Sequence, residues 1–225
     1  MIKNINIRGL SAKVYVPKKI NKTIILSHGF LLDKNGPEEL FKELSEKLYR
    51  LNYFVIRYNF RLNKNNKQET SKYVLNDYLE DITTIIKYSK KYNNEIILVG
   101  HSLGGLISLI EANRNKNIEK LILLSPPIKI KLPKIKTLKK FSKNPNIIIL
   151  FIKFLLSGFK INLTNYYKKI NIKTLFIYGT NDQFENYEKV KNINNKNIKF
   201  LKIEMMDHFY KGYKKEIIDE IIKFV

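Results

Sequence analysis

The chain has 225 residues and no cysteine, and 42 basic against 20 acidic residues leave it with a net charge of +22. That length suits one domain with a sizeable core, the 44% apolar share excludes a disordered chain, and the cysteine count excludes disulfides, thiolate metal sites and thiol nucleophiles together. The charge admits a nucleic-acid or anionic-membrane partner, but only Arg8, Arg50, Arg57, Arg61 and Arg114 are arginines and no base-reading motif is present, so no specific nucleic acid is expected and the excess reads as a solvated lysine-rich surface.

Residues 1–8 alternate apolar and polar side chains and lack the continuous apolar core of a signal peptide. Residues 2–8 and 13–16 read as two edge strands turned at Gly9, and residues 23–27 as a short strand ending at His28-Gly29-Phe30. Pro37 opens a helix with Glu38 and Glu39 in its first turn, and Leu40, Phe41, Leu44 and Leu48 mark its inner face. Residues 54–58 form the next strand. A long helix is predicted from about Ser71 to Lys91, with Leu75, Leu79, Ile82, Ile85 and Ile86 as its buried stripe. Residues 96–99 form a buried strand that runs into Gly100, residues 103–113 a helix, and residues 120–124 a strand ending at Ser125-Pro126-Pro127. Residues 174–178 and 198–203 complete the strands, and residues 212–225 carry a closing helix with Ile217, Ile218, Ile221 and Ile222 facing inward. Strands alternating with helices predict the α/β class, a mostly parallel sheet covered on both faces, with the site beyond the carboxyl ends of the strands. No repeat or linker divides the chain, so residues 1–225 read as one domain, interrupted by a helical cap insertion at about 126–170.

The most informative stretch is Ile96-Ile97-Leu98-Val99-Gly100-His101-Ser102-Leu103-Gly104-Gly105: a strand, then Gly-x-Ser-x-Gly, then a helix. Such a turn holds the serine in a strained conformation with its hydroxyl exposed, and the helix behind it points its amides and positive dipole end at any oxyanion that forms. A chance match is expected on the order of 0.02 times in a chain of this composition, so the motif outweighs the reading of an ordinary glycine-rich turn.

This elbow resembles that of the α/β hydrolases. His28-Gly29-Phe30 after an early strand resembles that family's oxyanion loop. Arg57-Tyr58-Asn59-Phe60-Arg61 is similar to the Arg-Phe-Asp-Phe-Arg segment of its cinnamoyl or feruloyl esterase and monoacylglycerol-lipase-like branch. Two departures stand out: Asn59 occupies the usual Asp position, and the Gly-His-Gly-x-Ser that commonly follows is missing after Arg61. The resemblance implies an α/β-hydrolase fold along nearly the whole chain.

A serine hydroxyl needs a base, and the chain offers three histidines. His28 is expected to brace the oxyanion loop. His101 adjoins Ser102, where chain geometry aims its ring away from the hydroxyl. His208, in a loop just after the last strand, remains as the base. In this fold the acid comes between serine and histidine, and residues 176–179 form a buried strand followed by a turn with one carboxylate; the resemblance places the family's acid on Asp182. Glu185 is a fallback, and Asp207 is too close in sequence to reach the far side of the imidazole. The expected chemistry is attack of Ser102 on an acyl carbonyl, an oxyanion held by the amides of Phe30 and Leu103, and hydrolysis of an acyl-enzyme by water. It calls for no metal or organic cofactor.

The cap begins at Pro126-Pro127, continues through Lys129, Lys131, Lys134, Lys136, Lys139, Lys140 and Lys143, and then runs through apolar residues 147–156, which include Lys153 and are too few to span a bilayer. One reading is a lid whose apolar face covers the pocket while lysines face water; the other adds peripheral docking on an anionic membrane. Tyr166 and Tyr167 either line the pocket or pack beneath it. The expected function is a cytoplasmic carboxylesterase or lipase-like serine hydrolase acting on a small-molecule acyl ester. A thioesterase or peptidase of the same fold, a ligand-binding protein with slow or no turnover, and a charge-driven nucleic-acid module are the alternatives.

Overall fold

The computed structural model describes residues 1–63, 73–130, 145–185 and 187–225. Among them one sheet is built from β1 (Ile2–Ile7), β2 (Leu10–Tyr15), β3 (Thr23–Ser27), β4 (Phe54–Tyr58), β5 (Ile96–His101), β6 (Ile118–Leu124), β7 (Lys173–Gly179) and β8 (Ile198–Ile203). Their order is β1-β2-β4-β3-β5-β6-β7-β8. The β1–β2 and β2–β4 pairs are antiparallel and every other pair is parallel. Arg8 (φ 49°) and Gly9 (φ 90°) are both left-handed, which makes a two-residue hairpin turn and pairs Ile7 with Leu10. β2 therefore starts earlier than the strand expected at residue 13.

The helices are α1 (Leu40–Arg50), α2 (Leu75–Ser89), α3 (Leu103–Arg114), α4 (Pro145–Gly158), α5 (Leu163–Lys169) and α6 (Lys214–Phe224). α1 and α6 cover one face of the sheet, and α2 and α3 cover the other. This explains the unbroken apolar run of β5. Successive side chains point to opposite faces, so Ile96 and Leu98 pack with α2 and α3 while Ile97 and Val99 pack with α1 and α6. Burying each such side chain contributes about 1.5–3 kcal/mol.

Two helix starts differ from expectation. Pro37–Glu39 forms a separate short turn, because Glu38 (φ 47°) and Glu39 (φ 59°) are left-handed and break the α-helical path; α1 begins at Leu40. α2 begins at Leu75, where Val74 is extended and its N–H donates to the Asp77 carboxylate at 2.6 Å. Residues 71 and 72 of the longer helix expected there lie outside the described residues.

The segment after β6 supplies α4 and α5. The Leu75 N–H donates to the Ser157 hydroxyl at 3.1 Å, which ties α4 to the start of α2. Tyr167 is fully buried, donates its hydroxyl to the Pro127 oxygen at 2.8 Å and packs against Phe176. Lys131, Lys134, Lys136, Lys139, Lys140 and Lys143 lie outside the described residues. Among the described residues no helix is long and apolar enough to cross a membrane.

Candidate active site

β5 leads into α3 through a turn with no room for side chains on its flanks. A Cβ on Gly100 would lie 2.3 Å from the Gly104 oxygen, and one on Gly104 would lie 2.0 Å from the Ser27 oxygen. Any larger residue at either place would push α3 off the strands. Between them Ser102 takes φ 51° and ψ −114°, a strained backbone that only the surrounding packing sustains.

His208 sits in the loop that follows β8. Its shape is fixed by left-handed Met205 (φ 59°) and Tyr210 (φ 67°) and by Asp207, whose Oδ1 accepts the N–H groups of Phe209 at 3.0 Å and Lys211 at 3.1 Å. The turn after β7 lies against this loop backbone to backbone: a Cβ on Gly179 would be 2.0 Å from the Met206 oxygen, and the Asn181 N–H donates to that oxygen at 3.1 Å. Asp182, whose side chain is fully buried, is held by the Phe184 and Glu185 amides, which donate to Oδ1 at 2.9 and 3.1 Å.

These loops bring three side chains into a row. The Ser102 hydroxyl donates to Nε2 of His208 at 2.9 Å, and Nδ1–H of His208 donates to Oδ2 of Asp182 at 2.7 Å. A carboxylate only accepts, so Asp182 selects the tautomer whose Nε2 lone pair faces the serine. The row can take a proton from the hydroxyl at one end and stabilise the resulting imidazolium from the other. The other two carboxylates weighed in the sequence are engaged elsewhere. Asp207 shapes its own loop, and Glu185 accepts the Ile128 N–H at 3.3 Å.

The remaining histidines are buried supports. His28 donates from Nδ1 to the Gly29 oxygen at 2.7 Å and accepts the Phe60 N–H on Nε2 at 3.0 Å, so it joins the loop after β3 to the segment after β4. His101 donates from Nε2 to the His208 backbone oxygen at 3.0 Å. Burial pushes the His101 imidazole well below the usual histidine range, with the nearby His208 adding to the effect, so it stays neutral. Leu103 opens α3, so its N–H belongs to the first turn, where amides lack an intrahelical acceptor. Leu103 and Phe30 line the same cavity as Ser102.

The model of the alpha/beta hydrolase fold family matches residues 22–150, more than half of the chain. The chain belongs to the α/β-hydrolase fold family. Esterase EstD of Thermotoga maritima is 26% identical over 133 residues, 56% of this chain and 32% of that protein, so the chain spans about a third of the length of the curated relative it matches. Two solved structures share the fold of this α/β hydrolase. Est1E from Butyrivibrio proteoclasticus with ferulic acid bound superposes with a TM-score of 0.75 at 20% identity, covering 99% of this chain and 97% of that one. The Pyrococcus furiosus esterase Pf2001 gives 0.75 at 22% identity, covering 100% and 89%.

The cavity of this hydrolase fold has a volume of about 160 Å³. Its wall is mainly apolar: Phe30, Phe151, Phe154, Phe184 and Phe209 line it with Leu103, Leu106 and Ile130, while Lys129 and Glu185 contribute the charged side chains. α4 supplies Phe151, Phe154 and Leu155, and the first two stack on Phe30 with ring centroids 5.0 and 6.1 Å apart. Tyr166 and Tyr167 are absent from the lining; both pack into the core. Sequence reasoning missed Phe184 and Phe209, whose rings flank His208 at 4.8 and 5.4 Å. Their adjacency in the chain to Asp182 and His208 was the available signal. Among the described residues no cluster of three or more His, Cys, Asp or Glu is placed to hold a metal ion.

Proposed function

We propose that this chain is a serine hydrolase that cleaves carboxylic esters, with Ser102 as nucleophile, His208 as base and Asp182 as the acid that orients the imidazole. The reading is carried by the unbroken row of hydroxyl, imidazole and carboxylate, at 2.9 and 2.7 Å, opening on an apolar cavity. His208 takes the Ser102 proton as Oγ bonds to the acyl carbon. The amides of Phe30 and Leu103 receive the oxyanion, each donor contributing about 3 kcal/mol to the transition state. Collapse of the tetrahedral adduct passes the proton from His208 to the leaving alcohol. Water, activated by the same imidazole, then releases the acid. The esterase names of proteins that share the family or the fold support the ester as substrate and leave thioesters and amides as lesser readings.

A cavity of about 160 Å³ matches the space that holds one benzene-sized ring. Short acyl groups or a single aromatic ring are therefore the expected acids. The test is a panel of p-nitrophenyl esters of rising acyl length, run on the wild type and Ser102→Ala. Butyrate should exceed palmitate in kcat/KM by at least about tenfold, and Ser102→Ala should lose turnover by a factor on the order of 10⁴ or more. Undiminished turnover by Ser102→Ala removes the assignment, whereas a preference for palmitate removes only the size argument. A fluorophosphonate that labels Ser102 without ester turnover favours the slow or non-hydrolytic binding protein.

A further inference from the structure

α4 has two apolar faces, and among the described residues only one of them packs against the fold. Phe151, Phe154, Leu155 and Gly158 point inward, three of them onto the cavity wall and Gly158 against Ile130 and Leu75. On the opposite side Ile149 is 50% exposed and Leu156 is 54% exposed, and Phe159, just past the helix end, is 59% exposed. At 100° per residue, Ile149, Lys153 and Leu156 fall within one narrow stripe, and Lys160 follows two residues past the helix end. Lys153 and Lys160 are both exposed there. These apolar residues are three of the seven large hydrophobics exposed among the described residues, and they sit together beside two cations. Scattered exposed apolar side chains need no explanation, but a patch on one helix does.

The charge says what covers it. From Pro126 to Ile170 the sequence contains eleven lysines and not one Asp or Glu. Half of the chain's net charge of +22 therefore falls within this one insertion. A second copy of the same face would bring Lys153 and Lys160 of two copies together, and a nucleic acid would leave Ile149, Leu156 and Phe159 without an apolar partner. An anionic lipid surface satisfies both features, taking the apolar side chains among its acyl chains and the ammonium groups among its headgroups.

We propose that the outer face of α4, through Ile149, Leu156 and Phe159 flanked by Lys153 and Lys160, docks this protein on an anionic membrane surface. The proposal does not depend on the reading of Ser102, because docking is measured without turnover. The test is flotation with vesicles of equal parts phosphatidylglycerol and phosphatidylcholine, with pure phosphatidylcholine as the comparison. The wild type should float with the anionic vesicles and stay behind with the neutral ones. Leu156→Ser with Phe159→Ser should lower the bound fraction by at least about tenfold, and Lys153→Glu with Lys160→Glu should do the same. Neither pair lines the cavity, and a thermal melt unchanged from the wild type identifies folded variants; Ile149→Ser serves where a pair fails that check. No flotation of the wild type overturns the proposal, as does flotation that the Leu156/Phe159 pair leaves intact. Wild-type sedimentation as a dimer that the same pair dissolves, without vesicle binding, assigns the face to a second copy and overturns it too.

Discussion

Nε2 of His101 donates to the backbone oxygen of His208 at 3.0 Å, so the residue before the serine holds the main chain of the residue that would deprotonate it. The two stretches are 107 positions apart in sequence and meet through this bond and through ring contact at 5.0 Å. His101 therefore helps to aim the imidazole while standing outside the row of Ser102, His208 and Asp182.

Replacing His101 by Leu removes that donor while keeping an apolar volume in the buried site. A base shifted by a fraction of an ångström loses alignment, so kcat should fall about tenfold with KM little changed. Steady-state kinetics check this, and an unchanged kcat would assign His101 to packing alone. The variant also carries a pH signature. Burial lowers the folded-state pKa of His101, so the unfolded chain takes up a proton near pH 6.5 when the folded chain does not. The stability contributed is full above that pH and is lost as pH falls toward the folded value, at up to about 1.4 kcal/mol per pH unit. Urea titrations from neutral pH downward should find the stability of the wild type falling relative to His101→Leu. Parallel pH dependences would contradict the buried neutral imidazole.

Asp182→Asn keeps the shape of the turn but presents an amide to Nδ1. The His208 tautomer with its lone pair toward Ser102 is then no longer selected, and kcat for a short acyl ester should drop by a factor on the order of 10⁴. A variant retaining more than a tenth of the activity would move the orienting role to Glu185.

Asp81 is buried on α2 and accepts three donors: the Arg61 N–H at 2.9 Å, the Arg61 Nε–H at 2.6 Å and the Tyr73 hydroxyl. Asn in its place offers one acceptor and sets an N–H₂ against donors. The cost should be about 2–3 kcal/mol, taken at the low end for Arg61 because its side chain is 45% exposed. For a chain of this size that lowers Tm by roughly 5–10 °C, measurable by calorimetry. The segment held by Asp81 includes Phe60, whose N–H fixes His28, so a loss of activity beyond the loss of folded protein is also expected.

Ser102 was legible because its turn is written in ten consecutive residues, where strand, glycines and helix constrain one another. His208 was legible by elimination among three histidines. The cavity was legible only in part: Phe30 in the oxyanion loop and the apolar run 147–156 of the lid were expected beside the site, whereas Phe184 and Phe209 reach it from two further loops whose only signal was nearness in the chain to Asp182 and His208. The left-handed turns at Glu38 and Glu39 were equally hidden, since acids after proline read as the first turn of a helix; the fold sets them by packing rather than by propensity. Strand edges slipped for a similar reason: only the two-residue turn at Arg8 and Gly9 fixes where β2 begins.

Ser102, Asp182 and His208 hang from the ends of β5, β7 and β8, so a chain emerging from the ribosome gains the full row only after its last strand has joined the sheet. On the proposed reading a half-made polypeptide would hold the serine without its base and acid, and recovery of ester turnover after dilution from urea would report the moment when the far edge closes.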